Sequence, residues 1–276
     1  MERVHFVQCD LADLDSVKHA AEEFTSKEKK LHILLNNAGV AALPYGFTKQ
    51  GLEVQNGINV VGPTLLSFLL LPTLAHTART LPAGAPSVRT IQLSSMMHMM
   101  PTFTFSAQRY TTLEAINRRY WGGELISSWL RYSVSKTGGI YLTSLLDGLT
   151  RSSGLPISNI SLHPGVVNTE IWDGMRERWP LLRPLLTAFF NAAYIKPDQG
   201  SLTQLYAATS PEVDSKKLSN AYLVPFGQVG WKWGDAKDPN GARSAELYAF
   251  VRDFVKEKVQ VDLDALVKMA QLDGSQ

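Results

Sequence analysis

The chain has 276 residues, of which 45% are hydrophobic and 19% are charged, with a formal net charge of +2 at pH 7. This length and composition are typical of one large globular domain that buries a substantial core. The small charge excludes a strongly basic nucleic-acid-binding surface, and the single cysteine, Cys9, excludes an internal disulfide framework.

The N-terminal residues and the apolar runs indicate whether the protein is secreted or inserted in a membrane. MERVHFVQCD carries an acidic residue early and lacks the long apolar core of a signal peptide. The most apolar run, residues 65–71, is far shorter than the roughly 20 residues that span a bilayer. We therefore expect no transmembrane segment, and the cysteine usage suits a reducing, cytoplasmic location.

Strand-like and helix-like segments alternate along the chain. Short apolar runs predict strands at 4–8, 32–37, 89–95, 157–163 and 220–224. Apolar residues at helical spacing predict helices at 13–28, 50–77 (kinked near Pro63), 133–150, 198–209 and 243–258. The alternation predicts an α/β fold, a doubly wound and mainly parallel sheet, in a single domain over residues 1–276.

Two segments, 96–131 and 170–197, show no regular pattern. Ligands of doubly wound sheets bind at the carboxyl ends of the strands, so we expect these insertions to form the rim of a substrate site. The second segment is rich in large apolar residues. These predict a lid over a lipophilic substrate or, equally, residues that pack on the core.

The segment YSVSK places Tyr132 and Lys136 four positions apart, on one face of a helix. A tyrosine has a reference pKa of about 10, and a nearby cation favours its phenolate, so Tyr132 is predicted to act as an acid and base. Tyr45 and Lys49 have the same spacing, but a loop containing Gly46 predicts no catalytic role there. No cluster of His, Cys or acidic residues indicates a metal site.

Eight motifs, YSVSK among them, occur in a specific order along the chain. They are CDL (9–11), LLNNAG (34–39), NVVG (59–62), QLSS (92–95), YSVSK (132–136), HPGVVNTE (163–170), DQGSLTQLYAATSPEV (198–213) and AYLVPFG (221–227). Their order and spacing resemble the short-chain dehydrogenase/reductase family, and most of all its retinol-dehydrogenase-like and fungal secondary-metabolism branch. The resemblance implies an enzyme that interconverts a carbonyl and an alcohol by hydride transfer. It implies NADP as cofactor, with NAD as the alternative, and a lipophilic substrate of retinoid, steroid, terpenoid or polyketide type.

The resemblance also assigns catalytic roles. Tyr132 would exchange a proton with the substrate oxygen, and Lys136 would lower the pKa of Tyr132 and bind the nicotinamide ribose. Ser95, rather than Ser94, would hold the substrate oxygen. Asn59 would support a water-linked proton relay to Lys136, although a buried hydrogen-bonding role is the alternative.

Further cofactor-binding residues are implied beside Tyr132 and Lys136. Those on the adenosine side are Asp10 and Asn37, followed by Ala38 and Gly39, and those on the nicotinamide side are Pro164, Gly165, Val167 and Thr169. Asp10 could instead cap the helix that follows it, and Asn37 could satisfy backbone groups. For His98 and His163, which lie near the predicted site, a structural role is favoured.

The sequence departs from the family at its N-terminus, because no glycine precedes Gly39. The family's glycine-rich loop lets the backbone approach the cofactor pyrophosphate. The strands of the family lie in the order 3-2-1-4-5-6-7, and the first two would be absent here. In the family's sheet these two strands lie between the positions of residues 4–8 and 32–36. The two segments would therefore be separated by a gap, or would move together and pair. Three hypotheses follow: an active enzyme, an impaired remnant or binding scaffold, and a longer native chain. A homo-oligomer is left open.

Overall fold

A computed structural model describes residues 4–104, 109–165 and 197–272. Two predicted cofactor-binding residues, Val167 and Thr169, lie outside the described residues, as does nearly all of the segment 170–197. The predicted lid over the substrate site therefore stays a prediction.

One five-stranded sheet organises the chain. Its strands are Ile33–Asn36 (β1), Val88–Leu93 (β2), Ile157–Leu162 (β3), Tyr222–Val224 (β4) and Gln228–Val229 (β5). The spatial order is the chain order, with β1 to β4 parallel and β5 antiparallel to β4. Strand β3 is buried along its whole length and β2 along nearly all of it, as expected for parallel strands covered on both faces.

Helices cover both faces of the sheet. They are Leu14–Lys27 (α1), Val54–Arg79 (α2), Met100–Thr104 (α3), Leu113–Ile116 (α4), Gly123–Ser152 (α5), Pro197–Gly200 (α6), Leu202–Thr209 (α7), Glu212–Ser215 (α8), Ala242–Val259 (α9) and Leu263–Met269 (α10). The largest apolar cluster joins α1, α2, α5, α9 and α10. A separate cluster packs α7 and α8 against β2, β3 and β4. The predicted doubly wound, mainly parallel α/β fold is confirmed.

The predicted strand at 4–8 is wrong. These residues have no regular secondary structure, and Val4 and Phe6 are 85% and 86% exposed. A strand is stabilised by its neighbours, and within the described residues no strand pairs with the outer side of β1. Ile33 and Leu35 on β1 are 40% and 38% exposed, so the described sheet has an apolar edge without a partner strand.

Helix α5 begins ten residues before its predicted start at residue 133. The segment 96–131 is therefore not irregular throughout, since its last part is the first two turns of α5. Ser127, Ser128 and Arg131 are buried in those turns, so the usual apolar stripe of a helix is missing there. This burial of polar residues explains why periodicity did not reveal the helix.

Helix α2 contains a π-helical segment, Gly57–Val61, immediately before Pro63. The irregularity predicted near Pro63 is thus an inserted residue in the helix rather than a simple proline kink. Of the described helices, α2 alone has the length and hydropathy of a membrane span, but 67% of its most apolar window is buried inside the protein. The core helix of a soluble protein has the same length and hydropathy, and the expected absence of a transmembrane segment stays a prediction.

Candidate active site

Ser95 and Tyr132 form the centre of the site. Ser95 follows β2, and its side-chain oxygen accepts a 3.2 Å hydrogen bond from the Met97 amide, which caps the 3-10 turn Met96–Met99. Tyr132 lies in the third turn of α5 and is 8% exposed. The Ser95 side chain lies beside Tyr132 and lowers its pKa against the effect of burial. Both hydroxyl-bearing side chains therefore lie beyond the end of β2.

Lys136 lies one turn after Tyr132 and is buried. Its Nζ donates a 3.1 Å hydrogen bond to the Leu93 carbonyl and lies 5.6 Å from the centre of the Tyr132 ring. Burial lowers the pKa of Lys136 to about 8. Ser94, the alternative to Ser95, is buried and donates a 2.7 Å hydrogen bond to the Lys136 carbonyl. Its hydroxyl fixes α5 against β2, which leaves Ser95 as the serine that faces the site.

Asn59 lies in the π-helical segment of α2 and is fully hydrogen-bonded. Its Oδ1 accepts from the Val40 amide, and its Nδ2 donates to the Val40 carbonyl and to Ser135 Oγ, each at 2.9 Å. A Cβ atom built on Gly39 would lie 2.9 Å from both Asn59 Oδ1 and Lys136 Nζ. Asn59 and Lys136 thus meet at Gly39, and glycine is the residue that leaves room for both. π-Helical turns are frequent at functional sites.

The remaining described site residues lie around this centre. Asn37 is exposed after β1, whereas Asn36 is held by Ser67 and by Gln92, at 3.0 and 2.9 Å. Pro164 and Gly165 follow β3, and Gly165 has a φ of 99° that favours glycine. Because β1, β2 and β3 are parallel, these residues and Ser95 share one edge of the sheet.

Asp10 is exposed in the loop before α1 and follows no strand. Its Oδ1 accepts from the Ala12 amide at 2.8 Å, while the residue that caps α1 is Asp13. The alternative in which Asp10 caps this helix is therefore wrong. A Cβ atom on Gly62 would lie 2.9 Å from the Leu11 carbonyl, so this loop packs on α2 next to its π-helical segment.

With this geometry established, similarity to known proteins is informative. The family model described as short chain dehydrogenase matches residues 1–110. The short-chain dehydrogenase/reductase pkfC of Emericella nidulans is 35% identical over 232 residues, which are 83% of this chain and 68% of that protein. The chain belongs to the short-chain dehydrogenase/reductase family. The predicted family and its oxidoreductase character are thereby confirmed.

Other relatives in this dehydrogenase/reductase family define the branch. Retinol dehydrogenase 11 of Mus musculus is 34% identical over 80% of this chain and 61% of its own length. Polyprenol dehydrogenase of Homo sapiens is 30% identical over 77% of this chain and 59% of its own length. They support the retinol-dehydrogenase-like type. Across these three relatives the chain spans 59% to 68% of the protein's length.

A solved structure supports the family fold. NADPH-bound carbonyl reductase from chicken fatty liver matches with a TM-score of 0.51 and 21% identity, covering 82% of this chain and 76% of that chain. At this level of identity the match concerns the fold alone.

The resemblance implies that Lys136 lowers the pKa of Tyr132, and this role stays a prediction. In the described residues, burial raises the pKa of Tyr132, and the opposing effect comes from the Ser95 side chain. The Lys136 ammonium lies over the face of the ring, and burial itself favours the neutral form of this lysine. The cost of burying a phenolate therefore outweighs the interactions that stabilise it.

The short-chain dehydrogenase/reductase motifs do not include the residues that fix the start of α5. Arg131 is completely buried; its Nε lies 3.1 Å from Glu53, and its terminal nitrogen lies 2.6 Å from Glu124 and 3.0 Å from the Leu43 carbonyl. This arginine precedes Tyr132 and ties the loop after β1 to α5. In the second Tyr–Lys pair, Lys49 forms an ion pair with Asp13 at 2.8 Å.

Proposed function

We propose that the chain is the catalytic region of a nicotinamide-dependent oxidoreductase that interconverts an alcohol and a carbonyl on a lipophilic small molecule. The observation that carries this proposal is the meeting of Ser95, Tyr132, Lys136 and Asn59 beyond the end of β2. NADP is the proposed cofactor and NAD the alternative. A cytoplasmic location is also proposed, on the cysteine usage alone.

The residues around Gly39 fit the nicotinamide-ribose end of such a cofactor. A Cβ atom at Gly39 would fill the space between Asn59 and Lys136. Lys136 donates a hydrogen bond to Leu93, and an ammonium has further N–H groups for ribose hydroxyls. For the pyrophosphate the fit is incomplete, because residues 4–38 contain no glycine and no strand-to-helix glycine loop.

Each side chain would then have a distinct role. Tyr132 would give its proton to the carbonyl oxygen during reduction and take it back from the alcohol during oxidation. Ser95 would donate a hydrogen bond to the same oxygen, and Lys136 would stabilise the phenolate form of Tyr132. Asn59 would hold the loop at Val40 in the position that leaves Lys136 access to the cofactor. The bound cofactor would supply or accept the hydride.

Two kinds of observation support a lipophilic substrate. The relatives named retinol dehydrogenase and polyprenol dehydrogenase carry names of apolar alcohols. Near Ser95 the structure also exposes large apolar side chains: Met96 is 42% exposed, and Phe103 and Trp233, 61% and 42% exposed, contact each other with ring centres 5.9 Å apart. An apolar substrate would cover part of this surface.

The test of the proposal is turnover of retinal and of a long isoprenoid aldehyde with NADPH and with NADH. Tyr132→Phe should abolish turnover and leave cofactor affinity nearly unchanged. Tyr141→Phe is the matched control, because Tyr141 is buried in the same helix and its hydroxyl has no hydrogen-bond partner within the described residues. Retained turnover in Tyr132→Phe would contradict the role of Tyr132.

The second candidate function is a binding scaffold with impaired catalysis, which the incomplete phosphate site favours. The residues before Gly39 contain no glycine-rich loop, so several phosphate contacts, each worth roughly 1.5–3 kcal/mol, would have to come from other residues. We therefore predict that this chain binds NADPH and NADH at least ~100-fold more weakly than a full-length relative, as measured by nicotinamide fluorescence. Micromolar or tighter binding would show that other residues hold the phosphates.

A further inference from the structure

We propose that His98 is a positioning residue that aligns Ser95 and couples it to the segment 231–233. The inference rests on the proposed function, from which Ser95 takes its role. His98 is 2% exposed and lies within the turn Met96–Met99 that Ser95 caps. Its Nδ1 lies 2.8 Å from the Ser95 carbonyl, and its Nε2 lies 3.3 Å from the Trp233 amide.

These two partners fix the tautomer of His98. The Ser95 carbonyl can only accept a hydrogen bond, so Nδ1 must carry the proton. The Trp233 amide can only donate, so Nε2 must present its lone pair. His98 therefore donates through Nδ1 and accepts at Nε2. Burial lowers the pKa of His98 and so favours the neutral ring, while hydrogen bonds with the backbones of Ser95 and Trp231 raise that pKa.

The imidazole ring is held in place by packing as well. The Tyr222 ring on β4 lies 4.7 Å from it, centre to centre. The His98 carbonyl accepts a 3.4 Å hydrogen bond from Thr137, which follows Lys136 on α5. His98 thus contacts β4, α5, the turn after β2 and the segment after β5, and it cannot rotate without losing these contacts.

The segment 231–233 is held from two sides. Lys232 points inward and donates a 2.6 Å hydrogen bond to Asn220, while the Trp233 amide donates to His98. Trp231 and Trp233 are 80% and 42% exposed. A displacement of this segment by an apolar ligand would therefore be transmitted through His98 to Ser95.

Two substitutions separate the two hydrogen bonds. The Asn amide nitrogen is as many bonds from Cβ as Nδ1 of histidine, so His98→Asn can keep the bond to Ser95 and lose that to Trp233. The Gln amide oxygen matches Nε2, so His98→Gln can keep the bond to Trp233 and lose that to Ser95. His98→Phe keeps the ring and removes both bonds.

The expected results differ between the two readouts. In His98→Gln and His98→Phe, kcat should fall about 3- to 10-fold, the effect of one hydrogen bond, whereas His98→Asn should stay within about 2-fold of wild type. Amide hydrogen exchange at Trp233 should accelerate about 3- to 10-fold in His98→Asn and His98→Phe and stay slow in His98→Gln. In a Ser95→Ala background, His98→Gln should cause no further loss of kcat.

Nitrogen-15 NMR of the wild-type imidazole should show the tautomer protonated at Nδ1. The tautomer protonated at Nε2, equal kcat losses in the Asn and Gln variants, or an undiminished effect of His98→Gln in the Ser95→Ala background would overturn the proposal. If the wild-type chain shows no turnover, the proposed function fails separately. The tautomer and the exchange at Trp233 then still decide whether His98 links the two segments.

Discussion

Replacing Arg131 with methionine is expected to destabilise the protein strongly, because it leaves Glu53 buried without its partner. Both side chains are 0% exposed, and the ion pair joins Arg131 Nε to Glu53 at 3.1 Å. Removing one partner of a buried ion pair costs about 3–5 kcal/mol, since the remaining charge has lost its solvation and its partner. Arg131→Met should therefore lower the free energy of unfolding by about 4 kcal/mol in urea denaturation.

The double variant tests the cause of that loss. In Glu53→Gln/Arg131→Met no fully buried charge is left unpaired, because Glu124, the other acidic partner of Arg131, is 38% exposed. The double variant should therefore be more stable than Arg131→Met alone by about 2 kcal/mol. Lys27→Met is the matched control: Lys27 pairs with Glu23 at 2.6 Å, but the two side chains are 64% and 43% exposed. An exposed pair contributes about 0.2–1 kcal/mol at most.

The pH dependence gives a further check of the Arg131 prediction. Burial raises the pKa of Glu53, and the charge of Arg131 opposes this effect. Without Arg131 the pKa of Glu53 rises further. The free-energy cost of burying the unpaired Glu53 carboxylate is therefore present above that pKa and is lost as the pH falls through it. The destabilisation by Arg131→Met should thus be smaller at pH 5 than at pH 8. A loss below about 1 kcal/mol, or no rescue in the double variant, would refute this reasoning.

Three more predictions concern the site. Gly39→Ala should lower kcat at least ~10-fold and change the free energy of unfolding little, because the new Cβ would lie 2.9 Å from Asn59 Oδ1 and Lys136 Nζ. Steady-state kinetics measures kcat, and urea denaturation measures the free energy of unfolding. Burial lowers the pKa of His163 to about 4, so stability present above pH ~6.5 should be lost toward pH 4, by up to about 3 kcal/mol. The variant His163→Gln should remove this pH dependence of the free energy of unfolding. Since burial raises the pKa of Tyr132, alcohol oxidation should accelerate from pH 7 to 9, and a flat profile would contradict the need for its phenolate.

The sequence predicts those parts of the fold that local patterns determine. β2 and β3, at Val88–Leu93 and Ile157–Leu162, lie within two residues of their predicted bounds because each is a short apolar run between helices. The run at 4–8 has the same character but no neighbouring strand within the described residues, and it is not a strand. Strand formation depends on pairing partners that a local pattern does not contain.

The candidate site likewise has a part that local sequence patterns predict and a part that they do not. The spacing of Tyr132 and Lys136 and the position of Ser95 could be predicted, because a helix turn and a strand end determine them. The contacts of Asn59 with Val40 and Ser135 depend on a π-helical segment, which has no clear sequence signal. Residues distant in sequence supply these contacts, so spacing alone could not reveal them.

The pKa of Tyr132 shows why spacing does not determine chemistry. A tyrosine and a lysine four positions apart predict a lowered tyrosine pKa if the cation dominates, and a raised one if burial dominates. In this structure burial raises the pKa of Tyr132 and lowers that of Lys136, so both changes favour the uncharged forms. A protonated Tyr132 is the form that donates a proton to a carbonyl. In the proposed mechanism, oxidation would therefore need groups that bind beside Gly39 to stabilise the phenolate of Tyr132.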